Sequence, residues 1–213
     1  MKYSAESRWF YETSPADEAI IAWFASHGQL LTEGSHRTDL YLISNMPSRS
    51  IKLREGRLEV KINVHNWEDE ELLGNHTRSN SWKKYSFVLE KDDEDAAQVL
   101  RDFAGLRSIG VNHDWVRLDK ERMTVRYATV PESGTFRLAL EGEQPEQGCA
   151  VDYTRVNVNL RKTFFTFGFE AFGNAMTVSK GLQLVMQDVF SSGGITGLTK
   201  ASAMAFPEFL LGV

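Results

Sequence analysis

Apolar and polar residues alternate with a period of two through much of this chain, the pattern of strands that bury one face. In residues 50–54, Ile51 and Leu53 face one way while Lys52 and Arg54 face the other. Glu55-Gly56 reads as a hairpin turn. On the returning run Leu58, Val60 and Ile62 form the apolar row, and Glu59 and Lys61 share the opposite face. Similar β-favouring runs at 40–44, 50–54, 57–64, 82–89, 115–118, 122–129, 135–140, 151–160 and 163–172 predict about nine strands.

Residues 115–127 align without a gap onto 50–62, which predicts a second hairpin and suggests an internal duplication. In that alignment Arg117 matches Lys52 and Arg126 matches Lys61. Later runs place Arg137 between Phe136 and Leu138, Arg155 beside Val156, and Glu170 after Phe165, Phe167 and Phe169. Each run separates charge from apolar residues.

Helical signals are fewer. Ser14-Pro15 starts one helix, Asp17 and Glu18 suit its N-terminal dipole, and Gly28 ends it. A second helix is predicted over 92–104, with acids at its start and Gly105 after it. The polar stretch 68–81 reads as a loop. Beyond Phe172, residues 180–190 are helical in pattern, and Ser191-Ser192-Gly193-Gly194 breaks the chain before Pro207. The apolar ending 206–211 reads as a docking segment, for the chain's own core or for another subunit.

The expected fold is therefore α+β: an antiparallel, closed or nearly closed β-barrel with flanking helices, because closure removes exposed strand edges. Residues 1–173 would form the barrel, and 174–213 a C-terminal helical extension packed on it.

Length and composition narrow the function. At 213 residues, 42% hydrophobic and 25% charged, the chain suits one ordinary globular core. A net charge of -5 and a pI near 5.6 argue against broad nucleic-acid binding, so any cationic site is local. One cysteine, Cys149, permits no internal disulfide and fits a cytoplasmic location. The chain opens without a secretory signal and holds no apolar run of membrane-spanning length. The five histidines show no metal-ligand spacing and are assigned no role.

The polar strand faces concentrate Arg and Lys in a chain that is acidic overall. Clustered cations repel unless anions sit among them, and phosphate supplies such an anion in a geometry that guanidinium and ammonium groups match. The order of these residues resembles the CYTH superfamily, the triphosphate tunnel metalloenzymes. Ser4-Ala5-Glu6-Ser7-Arg8 corresponds to that family's E-x-E-x-K signature, with Ser4 in place of the first Glu. The runs Lys52-Leu53-Arg54 and Leu58-Glu59-Val60-Lys61 are similar to its basic second and third strands.

What the resemblance implies is an eight-stranded antiparallel tunnel. Arg8, Lys52, Arg54, Lys61, Arg117, Arg126, Arg137 and Arg155 would bind phosphate. Glu6, Glu59 and Glu170 would hold Mg²⁺ or Mn²⁺ and serve catalysis. The ligand would be a small phosphorylated compound of the nucleotide, thiamine triphosphate or polyphosphate class, and the protein a metal-dependent triphosphatase. Two other readings stay open: a phosphate-binding module without turnover, and a barrel that carries an apolar ligand. A homodimer through the C-terminal segment is also compatible with the sequence.

Overall fold

The computed structural model describes residues 2–12, 18–29, 35–43, 46–66, 69–89, 115–130 and 133–212. The strands are β1 (Lys2–Tyr11), β2 (Ser35–Leu42), β3 (Arg49–Arg54), β4 (Arg57–Asn66), β5 (Glu70–Leu72), β6 (Asn75–Thr77), β7 (Ser79–Val88), β8 (Trp115–Val130), β9 (Thr135–Leu138), β10 (Gly148–Val158) and β11 (Lys162–Gly173). The helices are α1 (Glu18–Ser26), α2 (Val178–Gly193) and α3 (Phe206–Leu211).

Neighbouring strands run β10-β11-β1-β7-β4-β3-β2-β8, and β8 pairs back onto β10, so eight antiparallel strands close a barrel. This is the α+β barrel that the alternation predicts. Strand β9 lies outside the closure, attached to β8. A separate two-stranded hairpin, β5 with β6, occupies part of the stretch read as a loop. Its turn, Leu73-Gly74, has both φ angles positive, as does Glu55-Gly56 between β3 and β4, the geometry that matches strand twist in tight hairpins.

The predicted second hairpin is absent. Residues 115–130 form one uninterrupted strand, and Asp119-Lys120-Glu121 pairs with β2 on one edge and β10 on the other. No Gly, Pro or Asn interrupts the alternation there to supply a turn. The alignment with 50–62 thus matches a strand to a hairpin, and the duplication fails. Strand β2 begins at Ser35, earlier than the run at 40–44 suggests. The helix predicted over 92–104 lies outside the described residues, as do the cap residues Ser14 and Pro15.

The barrel wall has two cores. Outside, α1 and α2 cover β1, β11, β10 and β8, burying Trp9, Phe24, Phe167, Phe169, Leu182 and Val189 together. Trp9 stacks on Phe167 and donates from Nε1 to the His76 carbonyl at 2.9 Å. Inside, one end of the barrel is apolar: Phe10, Tyr41, Leu118, Val156 and Phe164 meet Phe209 and Leu210 of α3. Phe209 stacks on Phe10 at 4.3 Å between centroids, and Phe206 packs on Tyr41. Glu208 fixes this segment by accepting from the Ala205 N–H at 3.0 Å and pairing with Arg78 at 2.9 Å. The chain after β11 therefore serves both sides of the wall, α2 outside and α3 stoppering one end.

Candidate functional site

Antiparallel register carries one face around the whole barrel. Glu6 lies opposite Glu170 and Asn80, Lys61 opposite Lys84, Lys52 opposite Glu59, Asp39 opposite Leu118, and Arg122 opposite Thr154. Since paired residues share a face, all of these turn inward. Beyond the stoppered end, the interior is a lattice of charges.

Asp39, fully buried, is one hub. It accepts two bonds from Arg54, at 2.6 and 3.0 Å, and one from Lys120 Nζ at 2.9 Å, with Arg37 Nε at 3.4 Å. Burial alone would raise its carboxyl pKa, but Lys120 and then Arg54 hold it well below the usual range. Lys120 also approaches Tyr41 Oη at 3.2 Å and the Phe206 ring at 4.1 Å. Burial lowers its pKa well below that of a free lysine. Glu59 is the second hub, reaching Lys84 at 2.8 Å, Lys52 at 2.9 Å and Arg54 at 3.6 Å. Against burial, Lys52 and Lys84 bring Glu59 down to about 2.

Lys61 sits between Glu6 and Glu170, the latter at 2.9 Å, and Ser4 Oγ donates to Glu6 at 3.3 Å. Burial would lower the Lys61 pKa, but the two carboxylates outweigh it and raise it. The fourth group centres on Asp152, which accepts from Thr124 Oγ1 at 2.7 Å and faces Arg8 at 3.7 Å and Arg122 at 3.5 Å. Arg8 donates to Thr166 Oγ1 at 3.0 Å. Gly168, paired with Arg8, makes room for it: a Cβ there would meet the Arg8 side chain at 3.0 Å. Arg8 Nε, Arg122 Nε and Thr154 Oγ1 are buried without a hydrogen-bond acceptor or donor among the described residues.

Of the residues singled out from sequence, Glu6, Arg8, Lys52, Arg54, Glu59, Lys61 and Glu170 converge inside the barrel. Arg126 shares the inward face of β8 but is exposed at the rim. Three are corrected. Arg117 points outward and pairs with Asp119 at 2.7 Å. A turn after Leu118 would have reset the alternation, whereas one continuous strand sends Arg117 and Arg126 to opposite faces. Arg155 also points outward, onto Glu121, because its neighbours Val156 and Val158 fill the apolar end of the interior. Arg137 belongs to β9, outside the closure, and pairs with Glu143 at 2.9 Å.

The inward residues Arg37, Asp39, Lys84, Lys120, Arg122 and Asp152 escaped the sequence reading. The alternation Arg37, Asp39, Tyr41 was there to find. Lys120 and Arg122 were hidden by the supposed turn.

The metal set fares differently from the cations. Among the described residues no three His, Cys, Asp or Glu side chains gather as metal ligands. Glu59 is tied to Lys52, Lys84 and Arg54, apart from the Glu6–Lys61–Glu170 cluster. Two carboxylates fit an ion that arrives on phosphates and keeps several waters, as Mg²⁺ does, and not a protein-only cage.

Lys52 offers a titration to test. Burial, reinforced by the nearby Arg54, brings its pKa from 10.5 to about 7. The unfolded chain thus binds the proton more tightly than the folded one, and the empty barrel gains stability from this group as pH rises from about 7 toward 10.5. An anion beside Lys52 favours the charged form and reverses that preference. Tripolyphosphate binding at pH 8 should take up about one proton through Lys52. Calorimetry in two buffers of different ionisation heat should show the uptake in wild type and its loss in Lys52→Met; equal uptake in both would exclude Lys52 as its source.

No family model matches the chain, and no curated protein matches it. Among solved structures it is similar to a putative adenylate cyclase from Bacillus halodurans, with 8% identity, 91% of each chain covered and a TM-score of 0.42. It is also similar to a Pyrococcus horikoshii protein, with 12% identity, all of this chain and 86% of that one covered, and a TM-score of 0.27. Superpositions this loose carry no inference about function. The closed eight-stranded barrel is compatible with a CYTH-like tunnel. No helix among the described residues is long and apolar enough to cross a membrane.

Proposed function

We propose that the barrel interior binds the phosphate chain of a small phosphorylated ligand, a triphosphate best of all. The observation that carries this reading is the surplus of inward-facing basic side chains, of which Arg8, Lys52 and Lys120 are buried and the others half-buried. Arg8, Arg37, Lys52, Arg54, Lys61, Lys84, Lys120 and Arg122 outnumber Glu6, Asp39, Glu59, Asp152 and Glu170. Buried ion pairs are poor sources of stability compared with apolar packing of the same volume. A lattice with excess positive charge is costlier still, and an anion offsets that cost. The unpartnered Arg8 and Arg122 Nε–H groups and the Thr154 hydroxyl supply donors for its oxygens.

Hydrolysis is the finer form of this reading. Glu6 and Glu170 would hold Mg²⁺ or Mn²⁺ brought in on the phosphates, and the ion would neutralise charge developing at the broken phosphoanhydride. The chain's own part is to fix the phosphates with Arg8, Arg122, Lys52 and Lys84 and to keep the surroundings rigid. An apolar ligand is disfavoured because Phe206 and Phe209 already fill the greasy end of the barrel. A cavity at that end, lined by Tyr41, Arg49, Pro207 and Leu210, measures about 10 Å³, room for one water at most.

The test is calorimetric titration with tripolyphosphate, alone and with Mg²⁺, followed by assay of released phosphate. Arg8→Ala and Arg122→Ala are each expected to weaken binding by ~1–3 kcal/mol, about 5- to 150-fold. Phosphate released only with Mg²⁺ supports the hydrolase, and binding without release supports the module. Wild-type protein that binds no tripolyphosphate removes both.

A further inference from the structure

The inward residues of four neighbouring strands change character at one level of the barrel. Two positions from Arg8 toward the stoppered end of β1 stands Phe10, from Thr166 on β11 Phe164, and from Thr154 on β10 Val156, all members of the apolar cluster that α3 completes. On β8, Arg122 is followed toward the same end by Lys120 and then Leu118. Phe206 of α3 closes this level: its ring centroid lies 5.2 Å from Arg8 Cζ and 4.1 Å from Lys120 Nζ. Beyond it, Phe10 and Phe164 reach the Phe209 ring at 4.3 and 4.8 Å between centroids. The opposite rim differs. There Arg57 on β4 and Arg126 on β8, each on its strand's inward face, are exposed. An anion in the barrel thus has cations at the rim and an aromatic floor at the bottom.

The corner above that floor is built for an oxyanion. Arg8 and Arg122 approach the same oxygen of Asp152, at 3.7 and 3.5 Å, which brings the two guanidiniums together. The other Asp152 oxygen accepts from Thr124 Oγ1 at 2.7 Å. One carboxylate against two guanidiniums leaves the corner net positive. Arg8 Nε, Arg122 Nε and Thr154 Oγ1 are buried with no hydrogen-bond partner among the described residues. Thr154 stands between Arg122 and Thr166, its neighbours across the two ladders of β10, and Thr166 in turn accepts from Arg8. Buried donors left unpaired are costly. A terminal phosphate offers three acceptor oxygens, one for each of these donors, and carries more charge than a phosphate inside a chain.

Building on the phosphate-binding reading, on which this depends, we infer that the phosphate chain lies along the barrel with an unesterified end at the Arg8–Arg122–Thr154 corner and any organic group toward the Arg57–Arg126 rim. The barrel then accepts chains that are inorganic or esterified at one end, and rejects chains esterified at both, because a second organic group would have to occupy the space that Phe10, Phe164, Phe206 and Phe209 fill.

The test titrates wild type, without Mg²⁺ so that turnover does not intervene, with tripolyphosphate, a nucleoside triphosphate, a nucleoside diphosphate and a dinucleoside triphosphate esterified at both ends. The last carries about the charge of the nucleoside diphosphate but has no free terminal phosphate. It is expected to bind about tenfold or more weakly than either mononucleotide. Affinity equal to that of the nucleoside diphosphate, with tripolyphosphate still bound, overturns the inference and leaves the phosphate-binding reading intact. No tripolyphosphate binding by wild type brings down both. Thr154→Val, which keeps the shape and removes the hydroxyl, should weaken tripolyphosphate and nucleoside triphosphate about tenfold; unchanged affinity for both would remove this corner as the seat of the terminal phosphate.

Discussion

Asp39→Asn is expected to destabilise the empty barrel by about 3–5 kcal/mol, the cost of removing one partner from a buried ionic group. Asp39 is fully buried and is the shared acceptor for Arg54 and Lys120, with Arg37 beside them. The amide keeps the shape but removes the charge and one acceptor, leaving cations whose desolvation is uncompensated. The same substitution removes an internal competitor for those cations, so an added anion should bind the variant more tightly. Denaturant unfolding with and without tripolyphosphate reads both effects: a lower midpoint without ligand, and a larger ligand-induced rise than in wild type. A variant as stable as wild type, with the same ligand response, would mean that Asp39 is not the counterion the geometry describes.

Lys61→Ala should be nearly as costly, about 3 kcal/mol or more at neutral pH, and its pH dependence is diagnostic. In the native protein burial would push the Glu170 carboxyl up, but Lys61 outweighs it and holds Glu170 well below the ordinary range. Without Lys61, burial and the facing Glu6 both favour the protonated acid. A folded pKa raised above the unfolded value gives stability that is present at low pH and lost as pH rises through the folded pKa. The variant's deficit should therefore shrink between pH 7 and pH 5. Millimolar Mg²⁺ should raise the variant's melting temperature more than that of wild type, since the ion can take the place of the ammonium between two carboxylates. A deficit unchanged by acid and by Mg²⁺ would sever Glu6 and Glu170 from the role of a metal-holding pair.

These two expectations concern residues that sequence treated unequally. Lys61, Glu6 and Glu170 were legible because alternation along a strand announces which residues share a face. Asp39 was not, although its strand alternates too, because the short segment before Leu40 lacks the bulky β-branched run that marks a strand. Lys120 and Arg122 were lost to a turn that the chain never makes. Charged triplets such as Asp119-Lys120-Glu121 read as turns in isolation, yet pairing on both edges straightens them into β8. Arg155 failed for a different reason. The rule that polar residues share the functional face holds only where the interior is polar, and at the α3 end the interior is aromatic.

The sequence by itself determined the period-two strands, the tight Glu55-Gly56 turn, the antiparallel barrel class and the concentration of cations on one strand face. The strands, the turn and the cationic face follow from neighbours a few residues apart, where backbone geometry alone decides which way a side chain points, and the barrel class from the many strand edges that closure removes. Only the tertiary structure decided which face became the inside, that Phe206 and Phe209 stopper one end, and that Glu59 belongs to Lys52 and Lys84 and not with Glu6 and Glu170. Those outcomes depend on register and closure between strands distant in the chain. A shift of one residue in any ladder would exchange inside for outside.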